Sequence, residues 1–228
     1  MTMKKSLLNK EPPVKSFLII GMGAFGHHLC RALIERKCEV MVVDQDRDML
    51  EDLSPLGVVA RVGDCTREEV LRSFDIESFD ACFVCIGDDS VLSSLQITDL
   101  LKSLGAKKVF SKADHDVQAK FLARSGADSV IYPEKDAAYT LAVSESSDKI
   151  YDCIHVTGDL YIYEVEPMAE WIGKNLIQLN FRAAYNLTVI GIKRKGVMIS
   201  NLRPDRPFHK DEHLMVLGQI EDIQRVIR

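Results

Sequence analysis

Along residues 16–143, short and continuously apolar runs alternate with helical patterns about six times. Phe17–Ile20, Val40–Val43, Leu56–Val62, Asp80–Ile86, Lys107–Phe110 and Ala127–Ile131 each end in glycine, charge or proline within a few residues. Runs that are apolar throughout are buried on both faces. Short connections to intervening helices then dictate a parallel sheet covered on both sides. Such sheets bind ligands beyond the carboxyl ends of their strands. The chain of 228 residues, 46% of them hydrophobic, is long enough for this unit and a further small core.

The first run leads into Gly21-Met-Gly23-Ala-Phe-Gly26, a G-x-G-x-x-G followed by a helix over about residues 24–37. Gly21 allows a tight turn, Gly23 leaves room for a pyrophosphate, and Gly26 lets the helix pack close. The helix N-terminus would face the phosphates. Asp44 ends the second run about 20 residues further on, where an acid meets ribose hydroxyls. An acid there disfavours a 2′-phosphate, and so NADP. Asp64 and Cys65 end the third run and face either an adenine edge or only a turn. Lys112 ends the fifth. Thr66-x-x-Glu69 reads as a capping box opening a helix to Phe74.

The polar stretch 144–149 reads as a linker. Beyond it the pattern changes to half-exposed strands with short helices. Helices are expected over 171–179, 182–185 and 221–228, and a hairpin around Arg194-Lys195-Gly196. The expected architecture is therefore α/β. A flexible tail (1–14) precedes a Rossmann-like nucleotide-binding domain (15–143), and a small α+β domain (150–228) follows the linker.

Several classes are disfavoured. A formal net charge of −5 without basic clusters is no nucleic-acid footprint. The polar N-terminus is no signal peptide, and the six cysteines fit reduced thiols of a cytoplasmic protein. Cys82-Phe-Val-Cys85 lies on a strand, where positions i and i+3 face opposite sides. His209-Lys-Asp-Glu-His213 lacks the helix that a zinc H-x-x-E-H needs. His27 and His28 have no third group to orient a base. A small NAD-dependent dehydrogenase would need an acid–base group that the last 80 or so residues do not offer. It stands as the alternative, with a nucleotide-binding scaffold lacking a channel partner.

Together GMGAFG, VVDQD, GDCT, CIGDD, SKA and GAD-x-VIYPEKDAA resemble the RCK domain of potassium-uptake regulators, and LIQLNFRAAYNLTVIGIKRKG resembles the C-terminal RCK (TrkA-C) domain. The resemblance covers about residues 15–220 and is to Ktr/Trk gating subunits. It implies a non-enzymatic cytoplasmic regulatory subunit, held at the inner face of the membrane by a potassium-translocating subunit. It also implies dimers, an octameric ring, and ATP, ADP or NAD(H) as ligands that change the ring's shape and gate the partner. By resemblance, Gly21, Gly23, Ala24, Phe25 and Gly26 form the phosphate loop. Asp44 and Gln45 lie at the ribose, and Asp64 and Cys65 at the adenine. Ile86, Gly87 and Lys112 are wall positions. Glu134 lies near the phosphates or their magnesium, at a dimer interface. The chain departs from the family pattern at Ala24, where an arginine would read the γ-phosphate. In the C-terminal domain Ile177, Asn180, Arg182, Ala183 and Pro204 match a cyclic di-AMP pocket, with Arg182 as the phosphate partner.

Overall fold

The computed structural model describes residues 13–87 and 90–227. Most of the expected tail, residues 1–12, and Asp88-Asp89 of the fourth strand's end lie outside the described residues. The chain divides into two units, one up to Pro133 and one from Glu134.

The first unit is a six-stranded parallel sheet: β1 (Ser16–Ile20), β2 (Glu39–Asp44), β3 (Val59–Val62), β4 (Ala81–Val84), β5 (Val109–Lys112) and β6 (Ser129–Ile131). Their order is β3-β2-β1-β4-β5-β6. Helices α1 (Ala24–Glu35), α2 (Glu68–Arg72), α3 (Val91–Ser103) and α4 (Asp116–Arg124) connect them. The pleat sorts the central strands into two cores. Leu18, Ile20, Val43, Cys82 and Val84 pack with Leu71, Ile97 and Leu101 on one side. Ile19, Val40, Val42 and Cys85 pack with Cys30, Leu29 and Leu33 on the other. Each buried aliphatic side chain contributes about 1.5–3 kcal/mol. Cys82 and Cys85 thus belong to different cores.

Local chemistry moved three expected boundaries. Residues 48–56 form a 3-10 helix ended by Gly57 at φ +72°, so β3 starts later than Leu56. The capping box at Thr66 does not form. Asp64 Oδ1 instead accepts the Thr66 N–H at 3.0 Å, the donor that Glu69 would take in a box, together with the Thr66 hydroxyl at 2.7 Å, and α2 starts at Glu68 without a side-chain cap. The unit also ends earlier than residue 143. Helix α5 (Pro133–Glu145) belongs to the second unit from Glu134 on, where Tyr139 stacks on Tyr161 at 5.2 Å and the Thr140 carbonyl accepts from the Cys153 thiol at 3.7 Å.

The second unit carries an antiparallel sheet in the order β10-β9-β11-β8-β7. Its strands are β7 (Ile150–Thr157), β8 (Leu160–Val165), β9 (Thr188–Arg194), β10 (Val197–Ile199) and β11 (Glu212–Gln219). Lys195 (φ +49°) and Gly196 (φ +78°) make the tight β9–β10 turn whose twist matches the strands. Helices α6 (Leu176–Leu179), α7 (Phe181–Tyr185) and α8 (Ile220–Ile227) complete the unit. The helix expected over 171–179 is confined to its last turn. Gly173 at φ +77° breaks it, and Asn175 caps α6 in a capping box with Gln178. Trp171 is buried instead in a turn, edge-on to Phe181 at 4.8 Å. Glu212 is buried and bound by the Arg206 guanidinium and the His209 N–H.

Two outcomes follow from this packing. A Cβ on Gly26 would lie 2.3 Å from the Gly21 carbonyl oxygen, a backbone atom that cannot rotate away. The clash outweighs the ~1 kcal/mol that alanine gains in a helix. Gly26→Ala should therefore lose about 1–3 kcal/mol in urea denaturation; an unchanged or higher stability would contradict the close approach. Burial pushes the Glu212 carboxyl up, but Arg206 and the His209 N–H outweigh it and hold it below its ordinary 4.5. A carboxyl depressed in the folded state stabilises above its unfolded pKa and stops doing so as pH falls through the folded value. The second unit, followed by the fluorescence of Trp171, should lose stability below about pH 4.5. Glu212→Gln should be less stable at neutral pH and flatter in acid.

Candidate functional site

The carboxyl ends of β1, β2, β3 and β4 surround a cleft of about 200 Å³ where the strand order reverses around β1. Gly21, Met22 and Gly23 form its floor. Asp44 and Gln45 come from β2, Gly63 to Thr66 from β3, and Cys85, Ile86 and Gly87 from β4. Ser90 and Ser93 close it from the start of α3.

The three glycines of the loop have different reasons. Gly21 sits at φ +93°, and a Cβ there would meet the Cys85 carbonyl group at 3.0 Å. Gly26 admits α1 against the loop. Gly23, at the N-cap of α1, has nothing within 4 Å of where a Cβ would be. Neither conformation nor packing requires glycine at that position. No side chain caps α1 and no acid lies in its first turn, so its amide donors and positive end meet the open space beside Gly23.

Asp44 builds this loop. Its Oδ2 accepts from Met22 N–H at 2.7 Å and its Oδ1 from Asp46 N–H at 2.9 Å. The Gly21 N–H donates to the Val43 carbonyl at 2.9 Å. Asp64 Oδ1 accepts from the Thr66 hydroxyl and, at 3.0 Å, from its N–H. These bonds, with the charge of Arg67, hold the Asp64 carboxyl below the usual carboxylate range. Gln96 of α3 donates to the Thr66 carbonyl at 2.9 Å and ties the turn to the cleft wall. Burial pushes the thiols of Cys65 and Cys85 up to about 12, so both stay neutral near pH 7.

Gly21, Gly23, Asp44, Gln45, Asp64, Cys65, Ile86 and Gly87 line this one cleft. Ala24 and Gly26 lie under the cleft in the first turn of α1, and Phe25 packs into the adjoining core. Lys112 lies at the end of β5, outside the lining, and Glu134 opens the second unit. Met22, Gly63, Thr66, Ser90 and Ser93 are wall residues that the motif did not indicate. Ser90 was readable as the cap before a helix that follows a strand.

In the second unit, Ile177, Arg182 and Pro204 share a groove of about 270 Å³ with Phe181, Leu187 and Thr188. Asn180, left-handed at φ +46°, turns α6 into α7 and sets the corner. Ala183 lies further along α7, outside the lining. Among the described residues no three metal-ligating side chains cluster, and no helix is long and apolar enough to cross a membrane.

Residues 17–133 match the TrkA-N domain and residues 160–228 the TrkA-C domain. The chain is 34% identical over 212 residues to Ktr system potassium uptake protein C of Bacillus subtilis, covering 92% of this chain and 95% of that protein. Its fold is similar to the GsuK RCK domain, with a TM-score of 0.65 and 16% identity, over all of this chain and 50% of that one. The first unit is similar to the NAD(P)-binding domain of an exopolyphosphatase-related protein from Archaeoglobus fulgidus, with a TM-score of 0.51 and 25% identity, over 57% of this chain and 96% of that one. Both domain families in their order, and a curated relative matched over nearly its whole length, make this chain a member of the TrkA-N/TrkA-C family that includes the Ktr system potassium uptake proteins.

Proposed function

We propose that this chain is the nucleotide-sensing regulatory subunit of a potassium-uptake system, acting on a membrane-embedded potassium-translocating partner from the cytoplasmic face. The observation that carries the nucleotide site is the empty space over Gly23, beside an uncapped helix N-terminus. A phosphate pair fits a place where a Cβ is absent for no internal reason, opposite unpaired amide donors. The ribose hydroxyls meet Asp44, and the adenine lies along Asp64 and Cys65. The potassium partner rests on the relative, a Ktr system potassium uptake protein.

The ligand is ATP, ADP or NAD(H). Ala24 offers no cation for a γ-phosphate, which weakens the distinction between ATP and ADP. A regulatory role suits a cleft whose two thiols are neutral and whose two carboxylates already accept backbone N–H bonds. Gating then follows from differential affinity: a nucleotide shifts the subunits, as dimers within an octameric ring, only as far as it prefers one ring shape. The groove at Arg182 is a second site for cyclic di-AMP, its phosphates meeting the guanidinium. Glu134 is the residue that would meet a magnesium ion carried by the nucleotide phosphates.

Thermal unfolding with ATP, ADP, NAD, NADH and cyclic di-AMP tests these sites. A ligand at 100 times its Kd should stabilise the protein by about 2.7 kcal/mol. Gly23→Ala should keep the ligand-free Tm and lose the response to ADP or NAD(H). A variant that responds like the wild type, or a wild type that responds to no nucleotide, would overturn the assignment. Arg182→Ala should remove only the cyclic di-AMP response; a retained response would move that ligand elsewhere.

A further inference from the structure

Next to the cleft lies a polar cluster that the loop motif does not account for. The register Val84↔Ser111 puts Lys112 of β5 level with Cys85, a wall residue of the cleft. The two are close enough that the Lys112 charge opposes the rise that burial causes in the Cys85 thiol. Lys112 Nζ lies 3.0 Å from Asp114 Oδ1, and both side chains are mostly buried, 11% and 15% exposed. Gln118, in the first turn of α4, is buried and accepts the Asp114 N–H on its Oε1 at 2.8 Å. Two atoms of the cluster have no hydrogen-bond partner: the second carboxylate oxygen of Asp114 and the amide nitrogen of Gln118. A buried acceptor and a buried donor therefore stand unspent within one turn of chain. Native structures rarely leave such groups unmatched without a reason.

Their chemistry suggests one. Lys112 has a flexible stem, and its ammonium can serve either an internal carboxylate or an external phosphate. Removing it from a buried carboxylate costs heavily if nothing replaces it. Here the Gln118 amide already holds the replacement donors. We propose that Asp114 is an internal counter-anion that competes with nucleotide phosphates for Lys112, and that Gln118 takes over the Asp114 carboxylate when Lys112 turns to the phosphates. The pair supplies a two-position element at the carboxyl end of β5. Phosphate binding makes one position favourable, and an adenosine without phosphate does not act on it. The inference deepens the nucleotide reading above and rests on it.

Titration calorimetry of the full chain with ADP and with adenosine tests it. Asp114→Asn removes the competing charge, so ADP should bind about tenfold tighter, the scale of one charged hydrogen bond, with adenosine unchanged. Lys112→Gln should weaken ADP and leave adenosine unchanged. In that background Asp114→Asn should gain nothing. Gln118→Leu strands the carboxylate when Lys112 departs, so it should weaken ADP alone. This variant decides the matter if Asp114→Asn fails to fold. Wild-type binding of ADP with Asp114→Asn no tighter, or with the gain persisting in Lys112→Gln, overturns the counter-anion alone. A wild type that binds neither ligand overturns the nucleotide site and this inference together.

Discussion

The first unit depends on how closely α1 approaches the loop before it. At Gly26 the helix backbone lies against the Gly21 carbonyl, nearer than any side chain would allow. That approach aims the helix end over the carboxyl ends of the strands. The bonds from Met22 to Asp44 and from Gly21 to Val43 then lock the loop to β2. The same residues that bury the loop's backbone donors also form the floor of the cleft. Stability and binding are coupled there, and Gly23 is the position where they separate.

The electrostatics of the cleft are shaped by dipoles more than by ions. Its two acids already accept backbone and hydroxyl bonds, and the phosphate end faces helix amides without a side-chain cation in the first turn. Backbone dipoles are fixed by the fold and need no reorganisation when an anion arrives. A lysine that moves between two anions, in contrast, adds a response that depends on the ligand. In the proposed nucleotide site, fixed dipoles would hold the ligand and a mobile charge would distinguish what is attached to it.

The second unit solves a different problem. Its sheet is antiparallel, and α6 and α7 are only four and five residues long, so aromatic packing around Trp171, Phe181 and Phe208 joins them to the core. The loop that carries Pro204 is pinned through Arg206 to the buried Glu212. Asn180, in a left-handed conformation, turns α6 into α7. The groove thus takes one wall from a pinned loop and another from a left-handed corner.

Much of this was legible in the chain itself. Apolar runs without alternation required a buried parallel sheet, because a half-exposed strand cannot afford them. The glycine spacing and Asp44 located the cleft, and Arg194-Lys195-Gly196 located the hairpin. Local competition was less legible: Asp64 took the Thr66 N–H that Glu69 would accept in a capping box, and Gly173 cut a helix short. Also hidden was the allegiance of α5, which looks like the end of one unit and packs with the other. Periodicity and turn chemistry act between near neighbours, so the sequence by itself determined the elements, the fold class and the glycine loop. Which glycine is structurally dispensable, which thiols are silenced by burial, and which carboxylate sits beside Lys112 depend on contacts across strands and helices, and only the tertiary structure decided them.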